Sequence, residues 1–177
     1  PVDMVEVCAH LREVLREDAI LTNGAGNFAV WPSRYIPVGG ARRLLAPQSG
    51  AMGYGIPAAI AASVESPERE VLCFAGDGDF QMTGMELATA AQVGATPIIR
   101  VLANGSYGTI RRHQERHFPN RISGTALQNP DFAALAKACG LYGVKVDRTV
   151  DFPAACEAAR TCGTGAVIEL KTDVEAL

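Results

Sequence analysis

The sequence predicts a doubly wound α/β domain, a three-layer α/β/α arrangement around a mostly parallel six-stranded sheet. Short apolar runs such as Glu70 to Ala75 and Pro97 to Leu102 alternate with segments of helical periodicity along the whole chain. Runs apolar at nearly every position suit strands covered on both faces, the hallmark of parallel sheets joined by helical crossovers. Gly-rich junctions recur where these strands end, at Asn23-Gly24-Ala25-Gly26, Gly76-Asp77-Gly78 and Asn104-Gly105.

The elements follow in order. Val5, Ala9, Val14 and Leu15 recur at near-helical spacing and predict an amphipathic helix over Val2 to Asp18, followed by a strand at Ala19 to Thr22. A helix near Asn27 to Tyr35, a short strand at Leu44-Leu45 and an Ala-rich helix from Met52 to Val64 lead to the strand ending at Ala75. Gly84 to Val93 reads as a helix, Pro97 to Leu102 as a buried strand, and Ser106 to His117 as a helix or structured loop. Asp131 to Cys139 reads as a helix capped near Asn129, with Pro130 in its first turn. Strands at Tyr142 to Val146 and Ala166 to Lys171 flank a last helix, Asp151 to Arg160. The segment from Arg116 to Asn129 is long, polar and rich in Gly, Pro and Asn, and loops of that length usually serve function or mobility.

Composition bounds the function. The 177 residues are 48% hydrophobic and 20% charged, with a formal net charge of −3. A chain of this size buries about 70% of its unfolded surface, enough for one core without staples, so a single domain is expected. Mild acidity and the lack of a Lys/Arg run argue against nucleic acid. No apolar stretch reaches the roughly 18 residues that span a bilayer, and Pro1 to His10 does not resemble a signal peptide. The five cysteines, Cys8, Cys73, Cys139, Cys156 and Cys162, lack C-x-x-C spacing and mostly sit in apolar stretches. That pattern suits buried thiols in a reducing cytoplasm and does not suit zinc.

In open parallel sheets ligands collect beyond the C-terminal strand ends, so the three Gly-rich junctions are the candidate site. Asn23-Gly24-Ala25-Gly26-Asn27-Phe28-Ala29 matches the G-x-G-x-x-G/A fingerprint, yet the region where a ribose-binding acid belongs reads Leu44-Leu45-Ala46-Pro47-Gln48-Ser49. What remains is a Gly-rich turn whose exposed N–H groups suit a diphosphate of any kind, or simply a tight turn. Asp77 and Asn104, 27 positions apart, fall on successive strand tips and bring a carboxylate and an amide oxygen to one place. Magnesium takes such oxygen ligands, with phosphate and water completing its shell.

Gly76-Asp77-Gly78, then 24 residues, then Ala103-Asn104 resembles the G-D-G…N-N signature of thiamine diphosphate enzymes. Ser49-Gly50-Ala51-Met52-Gly53-Tyr54-Gly55-Ile56-Pro57-Ala58-Ala59-Ile60 is similar to a stretch shared by acetolactate synthases and benzoylformate decarboxylases. Gly84-Met85-Glu86-Leu87-Ala88-Thr89-Ala90 resembles their E-L-x-T-A helix, so the likeness covers Asp18 to Lys171 in the order of the family's C-terminal, diphosphate-binding domain. The resemblance implies the thiamine diphosphate-binding fold, with thiamine diphosphate and Mg2+ as cofactors. Asp77 and Asn104 would ligate the metal through side chains and Ser106 through its carbonyl. Gly26, Asn27, Gly76, Gly78, Asp79, Tyr107 and Gly108 match positions around the diphosphate, mostly through main-chain N–H groups. The Gly50 carbonyl would accept from the 4′-amino group of the pyrimidine. Met52 matches the apolar wedge that bends the cofactor, bringing the 4′-imino nitrogen to the thiazolium C2 so that the cofactor can serve as an electron sink for a 2-keto acid.

The resemblance also implies what is missing. The family's glutamate against the pyrimidine comes from a separate pyrimidine-binding domain, so this chain holds half an active site, inactive alone, in a decarboxylase or carboligase that is a dimer or larger homo-oligomer. Glu86 lies on the wrong helix for that role. Ala103 replaces the first, less critical Asn of the pair, Asn23 stands where many relatives have Asp, and Ala62 stands near a usual Gly. His113 stands where acetolactate synthases place a substrate-contacting Trp, which puts that particular activity in question. His113 and His117 lie i, i+4, but H-Q-E-R-H lacks the second-place Glu of a zinc protease, so an exposed helix is expected. Trp31 and Phe28 read as core. A Rossmann oxidoreductase domain and a non-catalytic domain that kept the fold are the competing readings.

Overall fold

The computed structural model describes residues 1–176. All six strands form one parallel sheet in the order β2-β1-β3-β4-β6-β5: β1 (Ile20–Asn23), β2 (Arg43–Leu45), β3 (Val71–Gly76), β4 (Ile98–Ala103), β5 (Tyr142–Val146) and β6 (Ala166–Lys171). The two outer strands alternate or lose burial, whereas β1 and β3 are buried at every position, as covering on both faces requires.

Helices cover both faces. One layer packs α1 (Met4–Val14) and α8 (Phe152–Thr161), with Phe28 and Ile36, against Leu21, Leu72, Phe74, Ile98, Leu102 and Ile168. The other packs α3 (Gly55–Glu65), α5 (Glu86–Val93) and α7 (Phe132–Ala138) against Cys73, Ala75, Ile99, Val101 and Val167. Strand residues two apart therefore feed the same core and adjacent residues opposite ones, the period-two rule at work. The expected three-layer α/β/α fold with a parallel six-stranded sheet is the observed one.

Local chemistry sets the element ends, and several differ from expectation. Helix α1 is shorter than Val2 to Asp18, because the Asp3 side chain caps it by accepting from the Val5 N–H at 2.7 Å. The segment near Asn27 is a 3-10 turn (Asn27–Ala29) that runs into the short helix α2 (Val30–Tyr35). Helix α7 is capped by Asp131, not Asn129, so Pro130 precedes the cap instead of sitting in the first turn. Glu169 of β6 adds a second carboxylate there, accepting from the Phe132 N–H at 3.0 Å, and Lys145 bridges both acids. The Ala134 N–H first, and Lys145 with it, hold the Asp131 carboxyl below the usual carboxylate range. A helix absent from the sequence reading, α4 (Asp77–Thr83), starts directly at the tip of β3.

Arg100 sits in the middle of β4 with no exposed surface. Its guanidinium lies over the rings of Phe74 at 5.8 Å and Phe152 at 6.0 Å, and donates to Cys156 Sγ at 3.5 Å. Its Nε has no hydrogen-bond partner among the described residues. Its Nη1 also donates to the Ile98 carbonyl at 3.5 Å, yet a buried cation held by ring faces and two long hydrogen bonds is poorly compensated. All five cysteines are free, and burial pushes the Cys8 and Cys73 thiols up to about 12.

Arg100→Met, which keeps the volume without the charge, is expected to leave stability unchanged or raise it by about 1–2 kcal/mol in urea melts. Ellman's reagent on the folded protein is expected to label Cys139 and Cys162 quickly, and Cys8, Cys73 and Cys156 only on unfolding.

Candidate functional site

The chain runs from β1 out to the edge strand β2 and then crosses back to β3 on the other side of β1. That reversal leaves a crevice beyond the C-terminal ends of β1 and β3, where open α/β sheets bind ligands. A cavity of about 280 Å3 lies there. Every site residue singled out from the sequence lines it: Gly26 and Asn27 after β1, Gly50 and Met52 before α3, Gly76, Asp77, Gly78 and Asp79 at the β3–α4 junction, and Asn104, Ser106, Tyr107 and Gly108 after β4. Residues from four separate stretches of sequence thus meet at one place.

Asp77 is the anchor. It opens α4 at the tip of β3, is 2% exposed, and its Oδ1 accepts from the Gly78 N–H at 2.9 Å. Its Oδ2 accepts from the Asn104 N–H at 3.1 Å, the Gly105 N–H at 2.7 Å and Asn129 Nδ2 at 2.7 Å. Among the described residues no Lys or Arg pairs with it within 4 Å, so a buried carboxylate faces the cavity held only by neutral donors. The Asn104 Oδ1 accepts from the Ser106 N–H at 2.9 Å, and the Ser106 carbonyl accepts from the Gly108 N–H at 2.9 Å. One carboxylate, one amide oxygen and one carbonyl, with no cluster of three His, Cys, Asp or Glu among the described residues, form a donor set fit for a hard divalent cation that also takes phosphate oxygens and water.

The loop after β4 is held by a strap. Ser106 forms an antiparallel bridge with Ala126, the Tyr107 N–H donates to the Thr125 carbonyl at 2.8 Å, and the Leu127 N–H donates to the Gly105 carbonyl at 2.8 Å. The Ser106 hydroxyl also donates to the Thr125 carbonyl, at 3.0 Å. The end of the long Arg116 to Asn129 segment is therefore built into the site. Tyr107 lies so close to Gly78 that a Cβ there would come within 2.4 Å of the ring, which fixes glycine at that position.

On the β1 side, the Asn27 N–H donates to Thr109 Oγ1 at 2.9 Å, and that hydroxyl donates to Asn27 Oδ1 at 3.0 Å. Thr109 belongs to α6 (Gly108–His117), which buries none of its residues. Ile110, Arg111 and Arg112 of that helix line the cavity, whereas His113 and His117 are exposed and do not. Phe28 and Trp31 pack against the α1 layer and also line the cavity, so both do more than fill a core. Asp79 is turned away from the opening. Its carboxylate is 2% exposed, accepts from the Ala25 and Gly53 N–H groups, and is pushed above the usual carboxylate range by burial, with those two bonds opposing the shift.

Sequence reasoning missed Asn129, Thr109 and Thr125. Asn129 had a signal, since a polar residue at the end of an unusually long loop is a reasonable site candidate, but it was read as a helix cap. The other two had none, because only the fold brings Thr109 to the cavity and Thr125 against the Ser106 loop.

Residues 24–170 match the family described as the C-terminal TPP binding domain of thiamine pyrophosphate enzymes. The acetolactate synthase large subunit of Lactococcus lactis subsp. lactis is 38% identical over 137 residues, covering 76% of this chain and 24% of that protein. An acetolactate synthase of Mycobacterium avium is 34% identical over 168 residues, covering 92% of this chain and 27% of that protein. Among solved structures, the thiamine diphosphate-dependent 4-hydroxybenzoylformate decarboxylase of Rhodococcus jostii superposes with a TM-score of 0.90 at 28% identity, over 99% of this chain and 33% of that one. The chain spans about a quarter of the length of the curated relatives it matches. With the matched profile, the superposed fold and the cavity at the strand reversal all in agreement, the chain belongs to the thiamine pyrophosphate enzymes as their C-terminal, TPP-binding domain.

Proposed function

We propose that this chain binds thiamine diphosphate through Mg2+ as the diphosphate-binding part of an acetolactate synthase-like 2-keto acid decarboxylase or carboligase. The observation that carries the reading is the buried Asp77 carboxylate, without a cationic partner, beside the oxygens of Asn104 and Ser106 on the next strand end. Asp77 and Asn104 would hold the metal through side chains and Ser106 through its carbonyl. Gly26, Asn27, Gly76, Gly78, Tyr107 and Gly108 would surround the diphosphate. Asp79 would add its main-chain N–H, since its carboxylate is engaged elsewhere. The Gly50 carbonyl would orient the pyrimidine, and Met52 would press between the rings. When bound, the cofactor supplies an electron sink for cleaving the bond between the carboxyl and carbonyl carbons of a 2-keto acid.

The reading extends beyond this chain. Residues 1–177 would form one diphosphate-binding domain, with the pyrimidine-binding and middle domains outside it, in the same protein or in a partner subunit. The exposed Met82, Met85 and Tyr54, on α4 and the ends of α3 and α5, form an apolar rim that suits such a neighbour, across the interface of a homo-oligomer. Turnover would need the glutamate that the pyrimidine-binding domain brings. The free cysteines suit a reducing cytoplasm, and no helix among the described residues is long and apolar enough to cross a membrane.

Calorimetric titration of the protein is expected to show thiamine diphosphate binding only with a divalent cation present, no binding of NAD, and loss of binding in Asp77→Ala. Cation-independent uptake, or an unaffected Asp77→Ala, would overturn the reading. Asn129→Ala removes one donor from the Asp77 carboxylate and is expected to weaken cation-dependent binding by about 1.5 kcal/mol, roughly tenfold.

A further inference from the structure

Helix α4 does more than follow Asp77. Asp79 and Thr83 lie four residues apart on it and so share a face. Both reach the backbone of the same residue, one on each of its flanking peptides: Asp79 Oδ1 accepts from the Gly53 N–H at 2.8 Å, and Thr83 Oγ1 donates to the Gly53 carbonyl at 2.8 Å. The same Asp79 oxygen accepts from the Ala25 N–H at 3.1 Å. One carboxylate oxygen therefore ties together two loops that both contribute lining residues to the cavity.

What these ties hold is otherwise poorly anchored. Gln48 to Ala51 are exposed, and Gly53 is the first buried residue of the loop that carries Gly50 and Met52 over the cavity. Gly53 adopts φ +82°, a left-handed conformation that costs other residues, and a Cβ there would come within 2.8 Å of Met82 Cβ. The helix thus grips a side-chain-free residue in a left-handed conformation directly after Met52. The Asp79 Oδ2 meanwhile has no partner among the described residues. A half-satisfied buried carboxylate is a poor packing group, and here its other oxygen holds a site together.

We infer that Asp79 and Thr83 are positioning residues that clamp Gly53, and so fix the Gly50–Met52 loop at a set distance from the Gly24–Asn27 loop. The inference rests on reading the cavity as a thiamine diphosphate site: Asp77, the first residue of α4, belongs to the metal end, and the clamp formed by Asp79 on the same turn and Thr83 on the next sets the ring end. The two ends are then separable by ligand. Inorganic pyrophosphate with Mg2+ uses only the metal end, whereas thiamine diphosphate uses both.

The test is titration of the protein with each ligand in excess Mg2+. Thr83→Val keeps the volume and removes only the bond to the Gly53 carbonyl. It is expected to weaken thiamine diphosphate binding about tenfold while leaving pyrophosphate within about twofold of wild type. Asp79→Ala is expected to weaken both, since it frees both loops, and Asp79→Asn, which keeps an acceptor oxygen, to recover much of the loss. Equal affinities in wild type and Thr83→Val, or an equal loss for both ligands, would overturn the clamp. Amide exchange at Gly53 in ligand-free protein tests it without any cofactor, with at least about tenfold faster exchange expected in Asp79→Ala and an unchanged rate counting against it. If wild type takes up no thiamine diphosphate, the reading of the site falls, and the exchange rates still decide the clamp.

Discussion

The Asp77 carboxylate is the contact on which the rest of the site depends. It is buried at the tip of β3, and its Oδ2 gathers the N–H groups of Asn104 and Gly105 from the end of β4 and the amide of Asn129 from the long loop. A buried charge must be compensated, and neutral donors compensate it only in part. The same three donors that make its burial tolerable also fix the adjacent loop, whose Asn104 and Ser106 line the cavity that Asp77 lines.

The sheet makes that meeting possible. The strand order places β1, β3 and β4 side by side with their ends aligned, so loops far apart in sequence emerge into one crevice. Helix α4 then divides the labour: its first residue holds the strand ends together, and its Asp79 and Thr83 hold the Gly53 peptide. A seven-residue helix thereby links the loop after β4 to the loop before α3. The cost of such an arrangement shows at Asp79 Oδ2, left without a partner, while Arg100 shows a similar tension in the opposite core with no cavity to explain it.

Much of this was legible in advance. Continuous apolar strands and Gly-rich junctions sufficed for the layers, and the spacing of Gly76-Asp77-Gly78 from Asn104 sufficed for the two strand tips. The misses share a cause. Helix α4 escaped because Gly76-Asp77-Gly78-Asp79 has the composition of a turn, and only the carboxylate's bonds across to β4 justify a helix there. Asn129 was taken for a cap because Pro130 follows it, whereas Asp131 reaches the Ala134 N–H and performs that role. Asp79 was matched to a diphosphate position by its motif, and what the motif did not show is that its carboxylate accepts from the Ala25 and Gly53 N–H groups.

By itself the sequence determined the architecture, the order of the elements, and the cavity-lining residues that lie beside glycines at strand ends. It could do so because period-two and period-3.6 patterning and backbone freedom are local properties. Tertiary structure alone decided which polar groups meet around the cavity: Asn129 on Asp77, Thr109 on Asn27, Thr125 on Ser106, and α4 on Gly53. Hydrogen bonds between segments dozens of residues apart leave no periodic trace in a chain, since they depend on where the sheet delivers each loop.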